Sequence, residues 1–109
     1  MKYLLLLIFF THSPEYINWR KLTYNDFKGA RTGNFAALTS TQIILETTQD
    51  NGKHYFNATA RFLPYRSFIY VSNEKILRHE QLHFDITELY ARKIDSALIP
   101  FQGCYPKQY

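Results

Sequence analysis

Hydrophobic residues in the middle of the chain are concentrated in two segments that predict an antiparallel hairpin. Residues 39–48 and 54–63 are rich in β-branched and aromatic side chains, which favour strands. Between them lies an Asn-Gly pair at residues 51 and 52, a strong signal for a tight hairpin turn. A third, shorter strand is expected at residues 66–71, and residues 31–34 are expected to form a loop.

From residue 72 onward the hydrophobic residues recur at the helical period. Ser72 is expected to cap the helix, Glu74 favours its first turn, and Pro100 ends a stretch without internal Gly or Pro. One face is expected to point inward: Ile76, His79, Glu80, His83, Thr87, Tyr90, Ala91, Ile94 and Ala97. The opposite face contains Arg78, Gln81, Asp85, Glu88, Arg92 and Ser96. Strands followed by one long helix predict an α+β domain, with a small antiparallel sheet packed on a C-terminal helix.

The predicted inward face contains the one motif that indicates a specific chemistry. Residues 79–83 have the sequence H-E-x-x-H, which places His79 and His83 one helical turn apart with Glu80 between them. Two imidazoles at this spacing can bind one Zn²⁺, and the carboxylate can accept a proton from an activated water. We therefore expect Zn²⁺ as cofactor, His79 and His83 as ligands, and Glu80 as catalytic base. The alternative is a structural pair of buried histidines.

The residues around the motif carry a wider resemblance. The segment LRHEQLHFDITELYAR at residues 77–92 resembles the signature of a bacterial family called domain of unknown function 922, whose members are predicted secreted zinc-dependent proteases. The segment WRKLTYNDFKG at residues 19–29 resembles the opening segment of that family. Residues 39–41, 58–62 and 67–68 resemble its central strands. The resemblance implies a zincin-like domain that hydrolyses peptide bonds, with the two histidines as ligands and the glutamate as general base.

The motif supplies two protein ligands, whereas a catalytic zinc site uses three. Proteins of the family continue past the helix to a segment with Thr-x-His-Gly, and residues 101–109 contain no His, Asp or Glu. We therefore expect either a member shortened at its C-terminus, with weakened zinc binding and activity, or a third ligand from elsewhere. Candidates within the chain are Asp85, Glu88, Tyr90, His54 and Cys104. Asp85 and Glu88 are expected to leave the helix away from the histidines, and Glu88 to pair with Arg92 four residues later.

The first residues predict export. Lys2 is followed by an apolar run at residues 4–10, which is long enough for a secretory signal and too short to span a bilayer as a helix. We expect residues 1–13 to be a signal peptide or an N-terminal anchor, and residues 14–109 to form one zincin-like domain. The protein would then be secreted or periplasmic. The alternative is that the apolar run forms a buried first strand.

Composition limits the classes of partner. The net charge of +4 comes from scattered basic residues without a basic run, so we expect no nucleic-acid partner. The single cysteine allows no internal disulfide, and the aromatic content of 17% favours a packed core. The expected partner is a peptide or protein substrate, and no membrane span is expected. The competing function is a non-catalytic exported module that binds metal or interacts through its sheet.

Overall fold

A three-stranded antiparallel sheet and one long helix form the framework of the domain. A computed structural model describes residues 15–105 of the chain. The signal peptide or anchor expected at residues 1–13 lies outside the described residues, as do residues 106–109. The predicted α+β class, with a small antiparallel sheet and a long C-terminal helix, is confirmed.

Within residues 15–105, five strands form two separate sheets. They are β1 (Ile17–Asn18), β2 (Ala37–Leu38), β3 (Thr41–Asp50), β4 (Lys53–Phe62) and β5 (Phe68–Ile69). The larger sheet has the order β1-β4-β3, and the smaller one pairs β2 with β5. The expected third strand is therefore shorter than predicted. It is paired with β2, because a 3₁₀ turn beginning at Pro64 separates it from β4.

The hairpin of β3 and β4 confirms the turn prediction. Its register runs from Thr41 opposite Phe62 to Asp50 opposite Lys53. The two-residue turn has φ values of 52° at Asn51 and 79° at Gly52, and a type I′ turn requires positive φ at both positions. Because this turn uses only two residues, pairing extends closer to it than predicted. The expected loop at residues 31–34 is also present.

The long helix, α1, spans Glu74–Leu98 and matches the predicted helix closely. Its N-cap is Asn73, so the prediction of Ser72 was wrong by one residue. Asn73 has an extended backbone, and its side-chain oxygen accepts hydrogen bonds from the backbone N–H groups of Lys75 and Ile76. A 3₁₀ turn at Ile99–Phe101 follows the helix. Among residues 15–105, no helix has the length and apolar character needed to cross a membrane.

The core lies between α1 and one face of the larger sheet. Its buried hydrophobic residues are Leu22, Ala58, Ala60, Phe62, Phe84 and Ala91. The rings of Phe62 on β4 and Phe84 on α1 have centroids 5.7 Å apart, so an aromatic pair joins the sheet to the helix. Small alanines elsewhere in this layer allow the helix to approach β4 closely.

The buried face of α1 differs from the predicted one. Its buried residues are Glu80, Phe84 and Ala91, whereas His79 and His83 are exposed. The predicted inward positions Tyr90, Ile94 and Ala97 are also exposed. The prediction that both histidines point inward, and the alternative of a buried structural pair, were therefore wrong.

The chain before β2 explains this difference. Leu22 N–H donates to Gln81 Oε1 at 2.6 Å, and Trp19 Nε1 donates to Asp85 Oδ1 at 2.9 Å. Gln81 and Asp85, both expected on the outer face, are half-buried as a result. The packing of this early segment against α1 moves the centre of its buried face away from the histidines and towards Phe84.

Candidate metal centre

His79, Glu80 and His83 form a cluster on the N-terminal half of α1. One potential ligand atom from each residue lies within 4.8 Å of those from the other two. The two imidazole rings are perpendicular, and their centroids lie 4.8 Å apart. Such proximity is expected for side chains four residues apart on a helix. The structure thus brings together the three residues that the motif predicted as site residues.

Glu80 and the histidines differ sharply in environment. The Glu80 side chain is 7% exposed, whereas that of His79 is 66% exposed. Glu80 Oε1 accepts a hydrogen bond of 2.7 Å from Thr39 Oγ1, while Oε2 lies 4.0 Å from His79 Nε2. One carboxylate oxygen is therefore anchored to the chain between β2 and β3, and the other is directed towards the histidine side of the cluster.

Thr39 is the site residue that sequence reasoning missed. It was expected only as a strand residue, and it contacts Glu80 across 41 positions of sequence. A threonine in a segment rich in β-branched residues gives no sign of such a contact. The hydrogen bond arises because β2 passes beside α1 before the chain enters β3.

An open pocket of ≈ 360 Å³, here called the motif pocket, adjoins the cluster. It is lined by Phe35, Ala36, Ala37, Lys75, Ile76, His79 and Glu80. Its walls are mainly apolar, and Lys75 contributes one positive charge. A ligand in this pocket would lie between the start of β2 on one side and His79 and Glu80 on the other.

Within the motif, Gln81 fixes the helix to the early part of the chain. Its Oε1 accepts from the Leu22 N–H. Its Nε2 donates to the carbonyl oxygen of Arg20 at 3.2 Å and to Asp85 Oδ1 at 2.9 Å. Arg20 is in turn held by two hydrogen bonds to Asp26, of 2.8 and 2.9 Å. These contacts orient the helical turn that carries both histidines.

The Arg20–Asp26 ion pair shifts the pKa of both of its residues. The hydrogen bonds from Arg20 lower the pKa of Asp26, and burial opposes this effect in part. Hydrogen bonds from the Thr23 backbone N–H and hydroxyl lower the pKa of Asp26 further. Asp26 in turn raises the pKa of Arg20. Ionised Asp26 therefore stabilises the segment that packs against Gln81.

Two of the third-ligand candidates on α1, Asp85 and Glu88, lie outside the cluster. Asp85 accepts hydrogen bonds from Trp19 and Gln81 on another side of the helix. Glu88 pairs with Arg92 at 2.7 Å, which confirms that expected ion pair. Tyr90 is 53% exposed, and the Lys93 ammonium lies 5.2 Å from its ring centroid.

The remaining candidates, His54 and Cys104, lie together at the other end of the molecule. His54 N–H donates to the Cys104 carbonyl oxygen at 2.8 Å, near the hairpin turn. Further along β4, Ala58 N–H donates to Asp95 Oδ1 at 2.6 Å, which places this part of the sheet beside the end of α1. Asp95 is about 18 Å along the helix axis from His83. In the described part of the chain, the candidate centre therefore has two histidines and one glutamate.

The donor set fits a transition metal. Imidazole nitrogens suit Zn²⁺, and also Cu²⁺ and Ni²⁺, while a carboxylate oxygen can bind such an ion or a water on it. The exposed histidines leave the solvent side of the cluster open, which an exchangeable ligand or a substrate requires. No protein-family model, curated protein or solved structure matches the chain. Support for a function therefore comes from the chemistry and geometry of these residues.

Proposed function

We propose that the chain is a zinc-dependent metallopeptidase, in which His79 and His83 bind Zn²⁺ and Glu80 is the general base for peptide hydrolysis. The observation that carries the proposal is the position of Glu80. This carboxylate is buried, held through one oxygen by Thr39, and directed through the other towards His79. A helix glutamate with no role in a site is usually solvated and free to change rotamer.

A general base must accept a proton from a water at one position. The fixed orientation of the Glu80 carboxylate suits this role. A general base acts from hydrogen-bonding distance, so a positioned oxygen contributes more than a mobile one. When bound, Zn²⁺ supplies Lewis-acid activation of water and of the substrate carbonyl. Glu80 Oε2 accepts the proton of the attacking water, and the protonated carboxyl can then donate it to the leaving amine.

The motif pocket supports an extended peptide as substrate. Ala36 and Ala37, at the start of β2, line this pocket together with His79 and Glu80. β2 pairs with β5 through one edge. A peptide that pairs with the other edge would lie along the pocket beside the cluster, with main-chain hydrogen bonds giving affinity.

A second candidate function is a non-catalytic metal-binding module. It is favoured by the exposure of His79 and His83 and by the absence of a third ligand from the cluster within residues 15–105. Water would fill the remaining positions of a two-histidine site, and such a site binds metal more weakly than a three-ligand one. Export to a secreted or periplasmic location is part of both proposals, since it derives from the N-terminal sequence.

The test compares four proteins for zinc content and for cleavage of labelled unfolded casein. They are the wild type, a His79→Ala/His83→Ala double variant, Glu80→Gln, and Glu88→Gln as a matched helix control. We expect about one zinc per chain in all but the double variant. Glu80→Gln should keep its zinc and lose at least about 100-fold in turnover, because its amide cannot accept the proton.

Each outcome supports or rejects one part of these proposals. Zinc retained through the histidines without cleavage by the wild type would support the non-catalytic module and reject the peptidase. Cleavage unchanged in Glu80→Gln would reject Glu80 as base. Equal zinc content in the wild type and the double-histidine variant would reject both proposals.

A further inference from the structure

A larger pocket lies on the face of the three-stranded sheet that is turned away from α1. On β4, Ala58, Ala60 and Phe62 face the core, so the intervening Arg61 projects from the opposite face. Arg61 is paired in register with Gln42 on β3, and both line a cavity of ≈ 820 Å³. This cavity shares no lining residue with the motif pocket.

Arg61 is unusual because its side chain is largely buried and one of its donors has no hydrogen-bond partner. Its side chain is 21% exposed, and its Nε is buried without a hydrogen-bond partner among the described residues. The Glu46 carboxylate lies 3.7 Å from its nearest guanidinium nitrogen, which is too long for a hydrogen bond. A guanidinium has five N–H donors, and leaving such donors buried and unpaired is costly.

The side chains around Arg61 indicate what kind of ligand the cavity would bind. Its guanidinium carbon lies 3.9 Å from the centroid of the Tyr16 ring, which holds the planar group against one wall of the cavity. Tyr65 and Leu63 add apolar surface, and Arg66 adds a second cation. Glu15 is the one acid among the lining residues, and the Glu46 carboxylate lies 3.7 Å from Arg61 without lining the cavity.

We propose that this cavity, called here the arginine pocket, binds a small organic anion: a carboxylate or phosphate group on a flat apolar body. The anionic group would accept hydrogen bonds from Arg61 and Arg66, because guanidinium groups match both oxyanions in geometry. The flat body would pack on the tyrosine rings. The cavity volume lies within the range of pockets for small organic ligands.

The test titrates the full chain with benzoate, phenyl phosphate, inorganic phosphate and neutral benzyl alcohol, followed by NMR chemical shifts. We expect saturable binding of benzoate or phenyl phosphate. Benzyl alcohol and inorganic phosphate should bind at least about tenfold more weakly, because the first lacks the anionic group and the second lacks the flat apolar body. Comparison of the first two probes distinguishes a carboxylate ligand from a phosphate ligand.

Three variants assign the binding to the pocket. Arg61→Gln should weaken the preferred probe at least about tenfold, and Arg66→Gln should weaken it several-fold because that side chain is exposed. Arg31→Gln is the matched control. Its guanidinium also lies against a tyrosine, 3.7 Å from the Tyr70 centroid, but it does not line the pocket.

Several results would overturn the proposal. They are the absence of saturable binding at millimolar probe, binding of benzyl alcohol as tight as that of the anions, and unchanged affinity in Arg61→Gln. If near-ultraviolet circular dichroism shows that Arg61→Gln does not fold, Arg66→Gln decides the question, since unchanged affinity in that variant also rejects the site. Zinc content and peptidase activity have no part in this test.

Discussion

The hydrogen bond between Thr39 and Glu80 offers a quantitative test of how the candidate site is built. Thr39→Val replaces the hydroxyl by a methyl group of nearly the same size, so packing is conserved and the donor is lost. Glu80 Oε1 then remains buried without its 2.7 Å partner. The perturbation therefore removes one interaction from a carboxylate that the fold keeps out of water.

The expected cost follows from the charge and burial of the acceptor. A hydrogen bond to a charged group contributes about 1.5–3 kcal/mol, and an unsatisfied buried acceptor costs a similar amount. We therefore expect Thr39→Val to lower the free energy of unfolding by about 2 kcal/mol. The Glu80 side chain is 7% exposed, so water can recover little of this loss.

Thr41→Val is a matched control on the same segment. Thr41 Oγ1 lies 2.7 Å from Thr87 Oγ1, a contact between a strand and α1 without a charge. Thr87 also donates to the His83 carbonyl oxygen at 3.1 Å, so its hydroxyl keeps a partner in this variant. The loss should be about 1 kcal/mol or less, because the pair is neutral.

Urea unfolding of the metal-free protein measures these differences. A double-mutant cycle of Thr39→Val with Glu80→Ala isolates the pairwise term, which we expect to be about 1–3 kcal/mol. A coupling energy below about 0.5 kcal/mol would refute the anchoring of Glu80 by Thr39. Equal losses in Thr39→Val and Thr41→Val would show that the charge of Glu80 does not contribute.

Two further predictions concern the framework of the site. Because Arg20 lowers the pKa of Asp26, the stability from this pair is complete above the unfolded pKa of 3.8 and is lost as pH falls through the folded pKa. Asp26→Asn should flatten the acid side of the stability profile, and an unchanged slope in urea unfolding between about pH 6 and 2 would contradict this. Gly29→Ala should cost about 3 kcal/mol, because its Cβ would lie 2.8 Å from the carbonyl oxygens of Tyr65 and Ser67. Gly33→Ala, with φ of 66° but only the Phe35 ring nearby, should cost about 1 kcal/mol, so equal thermal shifts would count against the close approach at Gly29.

The hairpin and the extent of α1 were predictable because their signals are local. The Asn51-Gly52 pair determines the turn by its own backbone preference, and the helix needs only an uninterrupted periodic stretch after its cap. The N-cap was misplaced by one position because Ser72 and Asn73 are both good caps. Only the backbone conformation at Asn73 decides between them.

The parts that sequence could not predict depend on distant contacts. Which face of α1 is buried is determined by the segment around Leu22, and this segment is about 60 residues away from Gln81 in sequence. The role of Thr39 depends on the path of β2 beside the helix. The arginine pocket depends on the register that places Gln42 next to Arg61. None of these contacts has a periodic or compositional signal.

The division of the motif between core and surface leads to a last prediction. At about 100° per residue, Glu80, Phe84 and Ala91 project within about 40° of one another, whereas His79 and His83 lie about 80° to 120° from the centre of that group. The fold therefore fixes the glutamate in the core and leaves the histidines exposed to solvent.

In metal-free protein, His79→Ala/His83→Ala should change the unfolding free energy by less than about 0.5 kcal/mol, since exposed side chains contribute little. Glu80→Ala should cost more, because it removes a buried group and the partner of Thr39. With saturating zinc, the wild type should gain stability and the double-histidine variant should not, because only the folded wild type presents both ligands together. A large loss in the metal-free double-histidine variant would instead assign the histidines a structural role.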